Sequence, residues 1–178
     1  MLNTIAIIAG VLASAIAVVL ILAATRPDSF SVQRAAIVSA PPEKIFPLIN
    51  DFRQWGNWSP YEHKDPAMKR TFSGAVRGKG AVYAWEGDKN VGKGRMEILE
   101  ASAPSKIAIK LDFFTPFEAH NTAEFTMLPH EDATRVIWRM HGPAPFMARI
   151  MHLFINIDNM VGKDFEAGLA NLKRLAEK

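Results

Sequence analysis

The chain has 178 residues, enough for one segment outside the fold plus one ordinary domain. It contains no cysteine, which excludes disulfide frameworks, thiolate zinc sites and cysteine nucleophiles. The formal charge is +3, but the bases are spread singly with acids close by (Glu43-Lys44, Asp88-Lys89, Lys163-Asp164), so no basic stripe interleaved with aromatics argues for nucleic acid.

Residues 1–25 carry no charged side chain. Thr4 to Ala24 (TIAIIAGVLASAIAVVLILAA) is long enough to cross a hydrocarbon core of roughly 30 Å as one helix. A helix satisfies its own backbone in lipid, which an open strand does not. The start MLNT has no Lys or Arg, the apolar run exceeds a usual signal-peptide core, and no clean A-x-A site precedes Arg26. Residues 1–25 are therefore read as a retained transmembrane anchor rather than a cleaved signal. Gly10, Ala13, Ser14 and Ala17 put small residues along one side, a pattern compatible with close helix–helix contact. Arg26 and Arg34 follow the span, so the positive-inside tendency places the domain on the cytoplasmic side, at the inner membrane if the cell is bacterial.

Ser29 to Val38 reads as a first strand, β-branched and partly alternating. Pro41 and Pro42 suit a helix start, Glu43 favours its first turn, and Ile45, Phe46 and Ile49 give it an apolar side. Asp51 to Trp58 predicts a second short helix or turn, ended near Gly56 and Ser59-Pro60. Strands follow at Met68–Ser73, Ala81–Glu86, Gly94–Ala101, Lys106–Thr115, Ala119–Leu128 and Thr134–His141. The glycines at 74, 78, 80, 87, 92 and 94 fall between or beside them as turns and bulges. Ile107, Ile109, Leu111 and Phe113 share one face, as do Ala123, Phe125 and Met127, and then Val136, Trp138 and Met140. Such alternation describes an antiparallel meander with one face buried and one wet. The end of the chain is helical: Phe146 to Ile157 is strongly apolar. From Asp158 to Lys178 it is amphipathic, with Val161, Phe165, Leu169, Leu172 and Leu175/Ala176 recurring at helical spacing.

The order strand, two short helices, six strands and a long helix resembles the SRPBCC superfamily, the START-like, helix-grip proteins often labelled polyketide cyclase/dehydrase. Its carriers are Ala40-Pro-Pro-Glu-Lys-Ile-Phe46, Phe52-x-x-Trp55-x-x-Trp58-Ser-Pro60, Asp65-Pro66, Gly78-x-Gly80, Tyr83-x-Trp85, Gly92-x-Gly94-x-Met96 and Gly162-x-Asp164-Phe-Glu-x-Gly168-Leu-x-x-Leu172. The likeness spans residues 29–178, which form the second region beside the 1–25 anchor. It implies an α+β helix-grip fold: a curved antiparallel sheet of about seven strands wrapped on a long C-terminal helix, behind one transmembrane helix. It also implies a ligand cavity between sheet and helix, while leaving activity open because one fold hosts many functions.

The residues themselves offer little chemistry. His63, His120, His130, His141 and His152 are scattered, and none pairs with another at a zinc-ligating spacing, so no metal and no cofactor is expected. His63-x-Asp65 is the nearest candidate and reads as a solvated loop. No nucleophile elbow, phosphate loop or dinucleotide fingerprint is present, so no catalytic residue is assigned. Trp55, Trp58, Tyr83, Trp85, Phe113, Phe125 and Trp138, with Met96, Val161 and Phe165, are the expected cavity lining, and the tryptophans and tyrosine add polar handles. Glu86 and His141 stand near strand ends, where a buried acid or base would act on a ligand. The expected function is a membrane-anchored, non-catalytic binder of an apolar small molecule or lipid. The alternatives are a cyclase- or dehydratase-like enzyme and a protein-interaction module, whose partner the sequence does not name.

Overall fold

The computed structural model describes residues 2–178. Helix α1 (Leu2–Ala24) comes first, and Thr4–Ala24 within it is 21 residues long with a mean hydropathy of 3.0. It is long and apolar enough to cross a bilayer, a property that signal sequences share.

Beyond it come β1 (Ser29–Val38), α2 (Pro42–Asn50), a 3-10 helix (Phe52–Asn57) and α3 (Tyr61–Lys64). Six strands then follow in hairpin succession: β2 (Lys69–Gly74), β3 (Ala81–Glu86), β4 (Lys93–Ser102), β5 (Lys106–Thr115), β6 (Ala119–His130) and β7 (Ala133–Pro143). Helices α4 (Phe146–Phe154) and α5 (Ile157–Ala176) close the chain. The strands form one antiparallel sheet in the spatial order β1-β7-β6-β5-β4-β3-β2. Each neighbour from β2 to β7 is a sequence neighbour, and β1 returns to pair with β7 from Ser29↔Pro143 to Val38↔Thr134. This is the α+β, helix-grip arrangement that the family resemblance implied.

The helices sit where backbone chemistry holds them. Proline at the first position of α2 gives up an N–H that would have no helical partner anyway. At the other end of α2, Trp55 Nε1 donates to the carbonyl of Ile49 at 2.9 Å and Trp58 Nε1 to that of Leu48 at 3.0 Å. The two indoles satisfy acceptors that the last helical turn leaves open, and so fasten the 3-10 helix beneath α2. The apolar C-terminal stretch does not run straight into the amphipathic one. The chain breaks after Phe154, and Asn156 caps α5 by accepting from the N–H of Asn159 at 2.9 Å.

Helix α5 lies on the concave side of the sheet and buries Phe165, Leu169, Leu172 and Ala176 there. Its flanks are tied to β1. Arg34 reaches Asp158 at 2.9 Å and Glu166 at 2.7 Å, while Lys173 Nζ donates to the Ile37 carbonyl at 2.8 Å. Exposed ion pairs of this kind add little free energy, so they set the position of the helix while the apolar face holds it. Each fully buried side chain, such as Ile98, Ile107, Phe125 or Leu172, contributes about 1.5–3 kcal/mol.

Candidate functional site: an apolar cavity between sheet and helix

Between α5 and the sheet lies a cavity of about 290 Å³. Its size falls just below the roughly 300–1,000 Å³ typical of small-molecule pockets. The 3-10 helix contributes Trp55 to its wall; β3 contributes Tyr83 and Trp85; and Met96 and Phe113 come from β4 and β5. Trp138 of β7 and Val161 and Phe165 of α5 complete the aromatic and aliphatic surround. Trp85 lies across β4 because position 94 is glycine: a Cβ there would collide with the indole ring and with the Asp112 carbonyl. The indole is then fixed by its Nε1, which donates to the Val91 carbonyl at 3.0 Å.

Two of the expected lining residues lie elsewhere. Trp58 and Phe125 are fully buried behind the wall, edge to face with ring centroids 6.0 Å apart. They belong to a continuous stack in which Trp138 lies between Phe125 at 4.9 Å and Phe165 at 4.0 Å. The packed stack gives that end of the cavity a rigid floor.

The polar expectations need correction. Glu86 and His141 are on the opposite, convex face of the sheet, because each follows by one residue a side chain that points inward (Trp85 and Met140). Glu86 is 59% exposed and lies 3.4 Å from Lys93. His141 is 3.4 Å from Glu124, and His63 is exposed on α3. None of the three reaches the cavity.

The ionisable groups at the cavity are others: Tyr61, Glu62 and Lys64 on α3, and Asp164 on α5. The Glu62 carboxylate accepts from the Tyr83 hydroxyl at 2.6 Å and from Arg70 Nε at 2.7 Å. Asp164 is bound by Lys64 Nζ at 2.6 Å. Burial first, and then the Asp164 charge, raise the Tyr61 phenol above its ordinary range; burial and the Glu62 hydrogen bond do the same for Tyr83. Both phenols therefore stay protonated and act as donors, and both carboxylates already have cationic partners. Among the described residues, no group of three or more His, Asp or Glu side chains is arranged to hold a metal ion. Sequence reasoning passed over α3 as loop. The signal for it was Pro60 followed by Glu62, a proline and an acid at a helix start.

The fold recurs in solved structures. A structural-genomics target protein from Chromobacterium violaceum superposes with a TM-score of 0.59 at 16% identity, over 86% of this chain and 99% of that one. A protein of unknown function from Staphylococcus aureus gives 0.60 at 11% identity, over 84% and 94%. The di-domain ARO/CYC StfQ from the steffimycin biosynthetic pathway gives 0.63 at 11% identity, over 84% of this chain and 51% of that protein. No curated protein matches the sequence. At the level of sequence families, residues 29–177 match one described as polyketide cyclase / dehydrase and lipid transport. With that match covering everything from β1 to the end of α5, the chain belongs to the polyketide cyclase / dehydrase and lipid transport family.

Proposed function

We propose that the chain is a membrane-anchored binding protein that holds one apolar small molecule or lipid chain in the cavity between its sheet and α5. The observation that carries this reading is the cavity wall: aromatic and aliphatic nearly throughout, with phenol donors at one side and its carboxylates already neutralised. Such a surface favours transfer of apolar area out of water, and the buried groups in its wall left to bond a ligand are the Trp138 indole N–H and the Ser59 hydroxyl rather than a free base. Helix α1 serves as the anchor, and Arg26 and Arg34 after it favour a cytoplasmic domain. Lipid transport in the family description agrees with this use of the cavity.

A second reading, cyclase- or dehydratase-like turnover, draws support from the chain Tyr83–Glu62–Arg70 at the wall. Because the Tyr83 O–H gives its one hydrogen to Glu62, the phenol oxygen is able to accept a proton from a ligand hydroxyl while passing its own to that carboxylate. Native mass spectrometry of the full chain released from lipid nanodiscs tests the first reading. The wild type should carry a bound apolar mass, and Ala123→Phe, which fills the wall at a buried position, should lose it. A wild type that emerges without any bound mass sinks the binding reading. Tyr83→Phe separates the two: a binder keeps its ligand unchanged, whereas an enzyme accumulates unconverted ligand.

A further inference from the structure

We infer that α4 lies in the plane of the membrane surface, its exposed apolar stripe resting at the boundary between lipid headgroups and acyl chains beside α1. The inference rests on the reading of α1 as a membrane span. Seven of the nine residues in α4 (FMARIMHLF) are apolar, with only Arg149 and His152 polar, yet none of the nine is buried. Met147 is 68% exposed and Phe154 is 74% exposed, one helical repeat of seven apart, with Ile150 and Met151 between them on the same side. Residues 148–153 are half-buried against the protein, so what is left uncovered is the apolar stripe that runs from Met147 to Phe154, and that stripe needs another apolar phase.

The structure places that phase next to it. Helix α4 packs against α1. Arg149 Nη1 reaches the Arg26 carbonyl at 3.4 Å, and the N–H of Ala144 donates to the Asp28 carbonyl at 2.6 Å. Ala23, in the last turn of α1, is fully buried. So α4 is fastened where the apolar span ends, at the level where a bilayer's headgroups begin. Amphipathic helices at that level bury their apolar face about 5–10 Å deep, and cationic side chains on the other face meet anionic headgroups. Arg26, which is exposed, supplies that charge, whereas Arg149 is half-buried over the Phe146 ring at 5.3 Å and helps to seat the helix.

The strand directions extend the surface. β1 starts, and β7, β5 and β3 end, at the same edge of the sheet as the exit from α1. The β5–β6 loop there holds Phe117, 66% exposed, and the start of α5 holds Met160, 55% exposed, which also lines the cavity. A domain seated on α4 thus turns the Met160 side of its cavity toward the lipid.

The absence of cysteine makes a direct test simple, because each introduced thiol is unique. Full-length Met147→Cys, Phe154→Cys, Leu12→Cys and Asp132→Cys variants are labelled with the fluorophore NBD in vesicles of phosphatidylcholine and phosphatidylglycerol. Quenching is read with lipids carrying a doxyl group near the headgroup or at mid-chain. The labels introduced by Met147→Cys and Phe154→Cys should lose most of their emission to the shallow quencher, that of Leu12→Cys to the deep one, and that of Asp132→Cys, on the β6–β7 turn at the opposite edge, to neither. Quenching for Leu12→Cys without quenching at the two α4 positions overturns the inference and leaves the anchor standing; if these two are also shielded from aqueous iodide, a protein surface covers α4 instead. No lipid quenching for Leu12→Cys overturns the anchor and the inference with it.

Discussion

At the edge of the sheet nearest α2, the concave face is packed solid; at the edge where α1 leaves, the same kinds of side chain surround a cavity. Both regions are rich in aromatics, so residue type is not what separates them. The difference is the plug. Near α2, the 3-10 helix drives Trp55 and Trp58 into the concavity, anchored through their Nε1 atoms to α2, and the rings close against Phe125 and Trp138. Toward the other edge α3, the β3–β4 loop at Asn90 and Val91 and the first turns of α5 cover the sheet, and Met160, Val161 and Asp164 do not close onto the opposite wall, where Trp85 and Phe113 pack edge to face. A curved sheet gripped by one helix stays open wherever no third element supplies a wedge.

The largest expected effect attacks the plug. Trp58→Ala removes a fully buried indole and should destabilise the domain by about 3–5 kcal/mol. Met160→Ala at the open end should stay within about 0.5 kcal/mol of the wild type. Urea unfolding of the full chain in detergent micelles, followed by near-ultraviolet circular dichroism, measures both. Similar losses at the two sites would break the contrast between a filled and an open end.

Glycines on α5 sharpen the same contrast. A Cβ at Gly168 would stand 2.7 Å from Trp138 Cζ3 and 3.1 Å from Pro60 Cδ, and the indole is held between Phe125 and Phe165. Gly168→Ala should therefore cost about 1–3 kcal/mol through overpacking, offset in part by the roughly 1 kcal/mol that alanine gains in a helix. At Gly162 the neighbour is the Arg34 guanidinium, which is able to swing into solvent at the expense of its pairs with Asp158 and Glu166, pairs that add little free energy, and alanine's helix propensity offsets that loss. Gly162→Ala should thus be close to neutral in the same unfolding measurement, and an equal loss at both positions would show that the packed end is no more rigid than the open one.

Much of this was legible in the chain itself. Period-two alternation located the strands, and three of them, β1, β3 and β5, have the bounds that pattern predicts. The phase of alternation also held the answer for Glu86 and His141: an inward Trp85 and an inward Met140 require their successors to face out. Proximity to a strand end was the weaker clue. The polar groups of the cavity were harder to see, because Lys64 and Asp164 are 100 positions apart and meet only once α5 docks beside α3. The role of Trp55 and Trp58 was hidden for a related reason. Their spacing marks an aromatic pair, but their closing of α2 depends on carbonyls that exist as acceptors only after the helix has ended. The break before α5 was written locally, in Asn156, and was masked by the apolar residues on both sides of it.

The smallest effect concerns the convex face and serves as a control on the concave one. There Asp112, its side chain only 6% exposed, accepts from His120 Nδ1 at 2.7 Å and lies 2.9 Å from Lys110 Nζ. The hydrogen bond to Asp112 raises the His120 imidazole above its ordinary value. Burial alone would raise the Asp112 carboxyl, but its bonds to His120 and Lys110 outweigh this and lower it. A raised histidine stabilises the fold fully below its unfolded value of about 6.5 and loses that contribution as pH climbs through the folded value. A lowered aspartate stabilises fully above its unfolded value of about 3.9 and loses its contribution as pH falls through the folded value. Both contributions are therefore complete only between about pH 4 and 6.5. NMR titration of the His120 ring should show the raised midpoint, and Asp112→Asn should bring it down. Because no histidine among the described residues lines the cavity, ligand retention should be unchanged by that substitution across the same range. A wild-type His120 that titrates at its ordinary value would remove the pair. Ligand loss in Asp112→Asn would instead show that the two faces of the sheet are coupled through β5, where Leu111 and Phe113 on either side of Asp112 form part of the cavity wall.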